Sequence, residues 1–264
     1  MIVALEGKTL VVTGGTQGLG ATIARLASAG GVEAIAIVGR NAERGARIAE
    51  ELTRTEQPVV FIQADLAEPA APAAVMAEAI TRLGRVDCLV NAAALTDRAS
   101  METGTMDDWE RLFSVNARAP FFLMQAAVAD MKARQAPGSI VNILSVNAHC
   151  GAADLAIYSA TKGALSTLTR NIANAHLADR IRVNGINMGW VATPAEQEMQ
   201  ARKLGKGEDW AKVAAAGMPL GRLLTMDEVA QLALFLLSDM SGLMTGTLID
   251  MEQAVLGAPT RGIA

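Results

Sequence analysis

The chain holds only two cysteines, Cys88 and Cys150, too few for a disulfide framework. Aromatic residues make up 3% of it, so any core must be aliphatic, with alanine and glycine allowing helices to approach a sheet closely. There is no basic run of the kind that follows a nucleic-acid backbone and no acidic tail, and the net charge is −4. Ile2-Val3-Ala4-Leu5 is broken at once by Glu6 and Lys8, which is too short for a secretion signal. No stretch approaches the roughly 18 apolar residues of a membrane span. These absences lead to the expectation of a cytoplasmic protein that works without nucleic acid, membrane or metal.

What is present is a repeating alternation. Hydrophobic residues are 51% of the 264, ample for a sizeable core. Short apolar runs recur at Leu10–Thr13, Ala34–Val38, Val59–Ala64, Cys88–Asn91, Ser139–Ser145, Arg182–Met188 and Thr247–Met251. Helical patterns separate them, at Ala21–Ser28, Glu43–Thr53, Pro72–Leu83, Asp107–Arg134 and Asp227–Leu237. Continuous apolar strands alternating with helices predict a parallel sheet covered on both faces, an α/β doubly wound fold. Neither an internal repeat nor a linker-like break appears, so one domain over 1–264 is expected.

Chemistry concentrates in the stretch Ser145 to Lys162. Tyr158 and Lys162 are four apart in a helical segment and share a face. A free tyrosine has a pKa of about 10, and a neighbouring ammonium is expected to push it toward the working range. Ser145 ends an apolar run and can hold a substrate oxygen while Tyr158 moves its proton. Taken alone, Tyr158 and Lys162 also fit a half-buried ring and a solvated charge.

Three further features add to this. Gly14-x-x-x-Gly18-x-Gly20 follows a strand and opens a helix, the geometry in which backbone N–H groups meet a pyrophosphate. The same glycines fit a tight turn without a ligand. Asp65-Leu66, after the third strand, is placed to hold an adenine amino group or to cap a helix. Thr105-Met106-Asp107-Asp108 reads as a capping box opening a long helix with Asn116 inside it. Pro120 has no N–H for the Asn116 carbonyl, so a bend and a free carbonyl are expected there.

Together these residues resemble the short-chain dehydrogenase/reductase family from about Leu5 to Val255. Thr13-Gly14-x-x-x-Gly18-x-Gly20 is similar to the family's TGxxxGxG turn, and Asn116, Ser145, Tyr158 and Lys162 match its tetrad in order and spacing. Pro219-Leu220-Gly221-Arg222 is similar to its late PLGR segment. The resemblance implies a seven-stranded Rossmann-type sheet and hydride transfer between a nicotinamide and a carbonyl or alcohol. Tyr158 would be the acid/base, Ser145 would polarise the substrate oxygen, Lys162 would bind the nicotinamide ribose, and Asn116 would anchor a relay water. It further implies cofactor contacts from Gly14, Thr16, Gln17, Gly18, Leu19, Gly20, Arg40, Asp65, Leu66, Asn91, Ala92, Gly189, Val191 and Thr193, besides Tyr158 and Lys162. A mobile substrate loop is implied at 190–217, and a homotetramer or homodimer paired through the helices holding Asn116 and Tyr158.

The sequence departs from the family pattern at three places. Ala94 stands where the NNAG segment ends in glycine, Met188-Gly189 replaces its Pro-Gly, and Glu252-Gln253-Ala254 replaces its DGG. Gly39-Arg40 bears on the cofactor, because an acid at the first position suits the ribose 2′-hydroxyl of NAD and an Arg suits a 2′-phosphate. NADP is therefore expected ahead of NAD, with one charge sufficing because Gln17 stands where many relatives have a second base. Asn147 and His149 are expected to line a polar pocket with Ser145, favouring a small hydroxylated substrate such as a sugar or polyol. A 3-oxoacyl thioester reductase and a non-catalytic nicotinamide-binding regulator are the alternatives.

Overall fold

The computed structural model describes residues 4–53 and 57–255. The outer ends of the expected domain, including Ile2 and Val3, lie outside the described residues. Strands β1 (Thr9–Thr13), β2 (Ala34–Gly39), β3 (Val59–Gln63), β4 (Cys88–Asn91), β5 (Gly138–Ile143), β6 (Ile181–Met188) and β7 (Leu248–Met251) form one sheet. Its order is β3-β2-β1-β4-β5-β6-β7, and every pairing is parallel. Parallel strands need crossovers, and these are supplied by α1 (Gly18–Ala29), α2 (Ala42–Thr53), α3 (Ala71–Leu83), α5 (Ala119–Ala133), α6 (Ala156–Ala175) and α9 (Met226–Leu237), numbered in chain order. Three further helices, α4 (Met106–Phe113), α7 (Pro194–Gln197) and α8 (Trp210–Ala216), lie in the connections after β4 and β6.

The strands are buried on both faces because successive side chains point to opposite sides. Leu10 and Val12 of β1 join a core with α1 and α9, while Val11 joins a second core with α3, α5 and α6. Each fully buried Val, Leu or Ile contributes about 1.5–3 kcal/mol relative to exposure. The only tryptophan that is fully buried, Trp210, lies away from the sheet, in a small cluster with Ala201 and Leu223. Among the described residues no helix is long and apolar enough to cross a membrane.

The expected continuous helix over Asp107–Arg134 is corrected. Thr105 caps α4 through a capping box with Asp108, but Ser114–Arg118 then forms a π turn before α5 begins. Pro120 sits in the first turn of α5, where its missing N–H costs least. The bend expected at Asn116 thus takes the form of a widened turn that carries this residue. Strand order reverses between β1 and β4, which leaves a crevice at the carboxyl ends of the strands.

Candidate active site

The glycine turn lies at that crevice. Gly14 and Gly18 have φ of +67° and +52°, a region that favours glycine. A Cβ on Gly20 would lie 2.3 Å from the Gly14 carbonyl oxygen, and one on Gly14 would lie 2.9 Å from the Ala93 nitrogen. The turn can therefore pass this close to the loop after β4 only without side chains. Thr13 at the end of β1 fixes the approach, its Oγ1 accepting from the N–H groups of Ala92 (3.1 Å) and Ala93 (3.2 Å). Gln17, the N-cap of α1, makes no side-chain capping bond. Backbone donors at that helix start are thus left for an anion, and the cradle fits a dinucleotide pyrophosphate.

A cavity extends from this turn. Its lining includes Gly14, Thr16, Gln17, Gly18, Leu19, Gly20, Arg40, Asp65, Leu66, Ala92, Tyr158, Lys162 and Thr193 from the expected set. Asp65 Oδ1 accepts from Ala67 N–H at 3.0 Å, closing a turn ahead of α3 rather than capping the helix, and Oδ2 stands 3.9 Å from Arg40. Arg44 also lines the cavity and hydrogen-bonds Gln17, so the expectation of a single charge is corrected to two. The sequence did hold a signal for it: Asn41 accepts from the Arg44 N–H, opening α2 and turning position 44 back toward the glycine turn.

Asn91 does not line this cavity. It is buried, and its Nδ2 donates to Asn142 Oδ1, whose own Nδ2 donates to Thr169, so β4, β5 and α6 are tied together. Gly189 and Val191 line a second, adjacent cavity, and Thr193 borders both. Thr193 Oγ1 caps α7 by accepting from Glu196 N–H at 3.1 Å.

Ser145, Tyr158 and Lys162 converge where the two cavities meet, and Asn116 lines neither. Ser145 lies two residues beyond the end of β5, and its Oγ accepts from Asn147 N–H (3.2 Å) and Asn147 Nδ2 (3.3 Å). Ser145 and the phenol of Tyr158, the chain's only tyrosine, line the same cavity. Lys162 donates from Nζ to Ile143 O at 2.7 Å and lies 5.8 Å from the Tyr158 ring centre. Asn116 acts through its side chain: Oδ1 accepts from Leu95 N–H, while Nδ2 donates to Leu95 O and Thr161 Oγ1. The π turn is thereby bolted to both the loop after β4 and α6.

The electrostatics differ from the sequence expectation. Burial pushes Tyr158 up to about 12, the Ser145 hydroxyl and Arg98 pull it down, and Glu196 raises it. Lys162 does not figure among the groups lowering it; burial brings Lys162 itself down to about 8. The sequence placed an ammonium beside the phenol, whereas the structure buries both groups and desolvation is the largest influence on each.

The second cavity opens on the other side of Tyr158 and Ser145. Asn147 lines it as expected, but His149 does not. His149 Nε2 is instead 2.9 Å from Asp250 Oδ1, with Asn187 Nδ2 at 3.2 Å, so an acid on β7 holds the ring away from the pocket. Arg98, Asp154, Glu196, Gln200, Lys206 and Glu252 supply the polar wall in its place. Arg98 is flanked by Asp154 at 3.1 Å and Glu196 at 3.5 Å, and Glu196 also accepts from Gln200 and Trp190. Glu196, Gln200 and Lys206 fall within the expected substrate loop, whereas sequence reasoning missed Arg98, Asp154 and Glu252 as site residues, since isolated charges outside a motif carry no pattern. The expected substrate loop at 190–217 forms α7, a π turn over Glu198–Lys203, and α8, and its part up to Lys206 contributes to the lining of this cavity.

Comparison with known proteins agrees with this arrangement. Residues 8–204 match the model of the short chain dehydrogenase family. A probable galactose dehydrogenase of Rhizobium meliloti is 34% identical, over 95% of this chain and 96% of that protein. A 3-oxoacyl-[acyl-carrier-protein] reductase of Chlamydia pneumoniae is 31% identical, over 96% of this chain and 98% of that protein. The crystal structure of L-sorbose reductase from Gluconobacter frateurii, complexed with NADPH and L-sorbose, superposes with a TM-score of 0.90 at 27% identity, covering 98% of this chain and all (100%) of that one. The chain belongs to the short chain dehydrogenase family, oxidoreductases that act on alcohol and carbonyl groups.

Proposed function

We propose that the protein is an NADP(H)-preferring reductase or dehydrogenase of a small, uncharged, hydroxylated substrate, a sugar or polyol. The observation that carries this reading is the polar wall beside Ser145 and Tyr158: Arg98, Asn147, Asp154, Glu196, Gln200 and Glu252. Buried polar groups facing an apolar substrate would lose their hydrogen bonds, at about 1–3 kcal/mol each. A hydroxylated substrate can donate to the carboxylates and accept from Arg98.

A bound nicotinamide supplies or accepts the hydride at the substrate carbon. Ser145 holds the substrate oxygen, oriented by the two hydrogen bonds from Asn147. Tyr158 gives its proton to that oxygen in reduction and takes it back in oxidation. Lys162, buried against Ile143 O and 5.8 Å from the Tyr158 ring centre, is assigned the nicotinamide ribose. Asn116 fixes the loop after β4 through its side chain, and the relay water is assigned to its main-chain carbonyl. Arg40 and Arg44 face the adenosine end and receive a 2′-phosphate.

The same reading covers the rest of the chain: a single domain over 1–264, placed in the cytoplasm, with 190–217 closing over substrate. Assembly is as a homodimer or homotetramer through α4 to α6, where Met106, Trp109 and Phe122 are exposed. The relative active as a 3-oxoacyl reductase supplies the competing substrate class. Absorbance of the reduced nicotinamide, followed with sugars, polyols, acetoacetyl thioesters and steroids, tests the proposal. Turnover of the thioesters or steroids with none of the sugars and polyols would overturn it.

A further inference from the structure

Glu252 stands at one of the places where the sequence departs from its family's pattern, and Gly189, which follows the departure at Met188, is next to it in space. The Glu252 carboxylate fills the room that a side chain at Gly189 would need: a Cβ there would lie 2.1 Å from Oε2 and 3.0 Å from Oε1. Oε1 also accepts from the N–H of Gln253 at 2.5 Å, which fixes the orientation of the group. Gln253 is itself tied down, accepting from Leu220 N–H at 2.9 Å and donating to Arg222 O at 2.5 Å. The carboxylate is thus held by backbone and by a missing side chain, and it lines the cavity shared by Ser145 and Tyr158.

The charges around it are unevenly matched. Asp154 and Glu196 are both drawn to Arg98. Among the described residues no lysine, arginine or histidine nitrogen comes within ion-pair distance of Glu252. Counting the lining residues, three carboxylates face two cations, Arg98 and Lys206. An unpaired carboxylate in a confined, partly desolvated space repels an anion and accepts hydrogen bonds from hydroxyls.

We propose that Glu252, seated on Gly189, is a specificity-determining residue: it accepts from a substrate hydroxyl remote from the reacting carbon and excludes substrates that carry a carboxylate or phosphate there. This rests on the reading that the cavity takes a hydroxylated substrate, and extends it to a charge filter.

The test uses the protein with its reduced cofactor bound and measures binding of paired ligands, a neutral polyol and its aldonic acid, by the change in nicotinamide fluorescence. Glu252→Gln keeps the shape of the side chain and is expected to tighten the aldonate at least tenfold while weakening the polyol. Gly189→Ala, which displaces the carboxylate without removing it, is expected to weaken the polyol as well. Cofactor affinity is expected to stay within twofold in Glu252→Gln, which shows that the site is intact. Equal aldonate affinity in wild type and Glu252→Gln would overturn the charge filter, whatever the enzyme turns over. Failure of every sugar and polyol to react, with the tenfold change preserved, would instead sink the substrate reading and leave the filter standing.

Discussion

Cofactor choice is the property that we propose two side chains, Arg40 and Arg44, to set. Both line the crevice beside the glycine turn, and no carboxylate occupies position 39. A charge-assisted hydrogen bond contributes about 1.5–3 kcal/mol in a protected setting. Here the gain is smaller. The Arg40 side chain is 64% exposed and has Asp65 at 3.9 Å, and Arg44 is exposed and shares its guanidinium with Gln17. Solvent screening brings each contribution to about 1 kcal/mol. Replacing both arginines by alanine should therefore weaken NADPH by about 2 kcal/mol, or roughly thirtyfold, and leave NADH unchanged. Dissociation constants for the two cofactors, measured by fluorescence at two ionic strengths, check this. The advantage of NADPH should shrink as salt rises, because exposed charges are screened. An unmodified protein that binds NADH as tightly as NADPH, or a double variant that loses both equally, would refute the reasoning. The structure also constrains the reverse experiment. A Cβ at Gly39 would lie 2.6 Å from Thr16 Cγ2 and 2.7 Å from its Oγ1, so Gly39→Asp should switch preference toward NADH only in a Thr16→Ala background.

Tyr158→Phe should lower turnover by about 10²–10⁴-fold with cofactor affinity kept, since the ring still packs but no proton moves; near-normal steady-state rates would refute this. Lys162→Met should abolish turnover and yet stabilise the fold at neutral pH. Burial lowers Lys162 from 10.5 to about 8, so between these values the unfolded chain binds more protons and stability rises with pH. The penalty is complete below pH about 8 and of the order of 3 kcal/mol before the loss of the Ile143 hydrogen bond is subtracted. Denaturant unfolding should show the advantage of Lys162→Met shrinking from pH 8 toward 10.5, and a pH-independent difference would contradict it. Gly20→Ala should cost cofactor affinity and melting temperature together, because its Cβ would press on the Gly14 carbonyl; an unchanged thermal shift with NADPH would show that the turn can yield. Pro120→Ala restores an N–H beside the π turn and should lower turnover by moving Asn116 off Leu95 and Thr161, while a fully active and more stable variant would make the turn incidental.

The alternation of apolar runs with helical segments determined the sheet by itself, because a strand buried on both faces must be apolar at every position. Cys88–Asn91 was legible residue for residue, and the other strands to within two positions at either end. The tetrad and glycine turn were legible because their chemistry demands particular residues at fixed spacing, and spacing within a strand, turn or helix is a local property. Only the tertiary structure decided what meets across the strand order. It held His149 to Asp250 on β7, although chain proximity to Ser145 had put it in the pocket. It drew Arg44 back from α2 to Gln17, and it walled the cavity beside Ser145 with Arg98, Glu196 and Glu252 from the segments after β4, β6 and β7. It also reversed the expected electrostatics of Tyr158, because the four-residue spacing fixes how near Lys162 lies but not how much water is left around the pair. Proximity along the chain is written in the sequence, whereas desolvation and cross-chain contacts arise only when distant segments close around the same space.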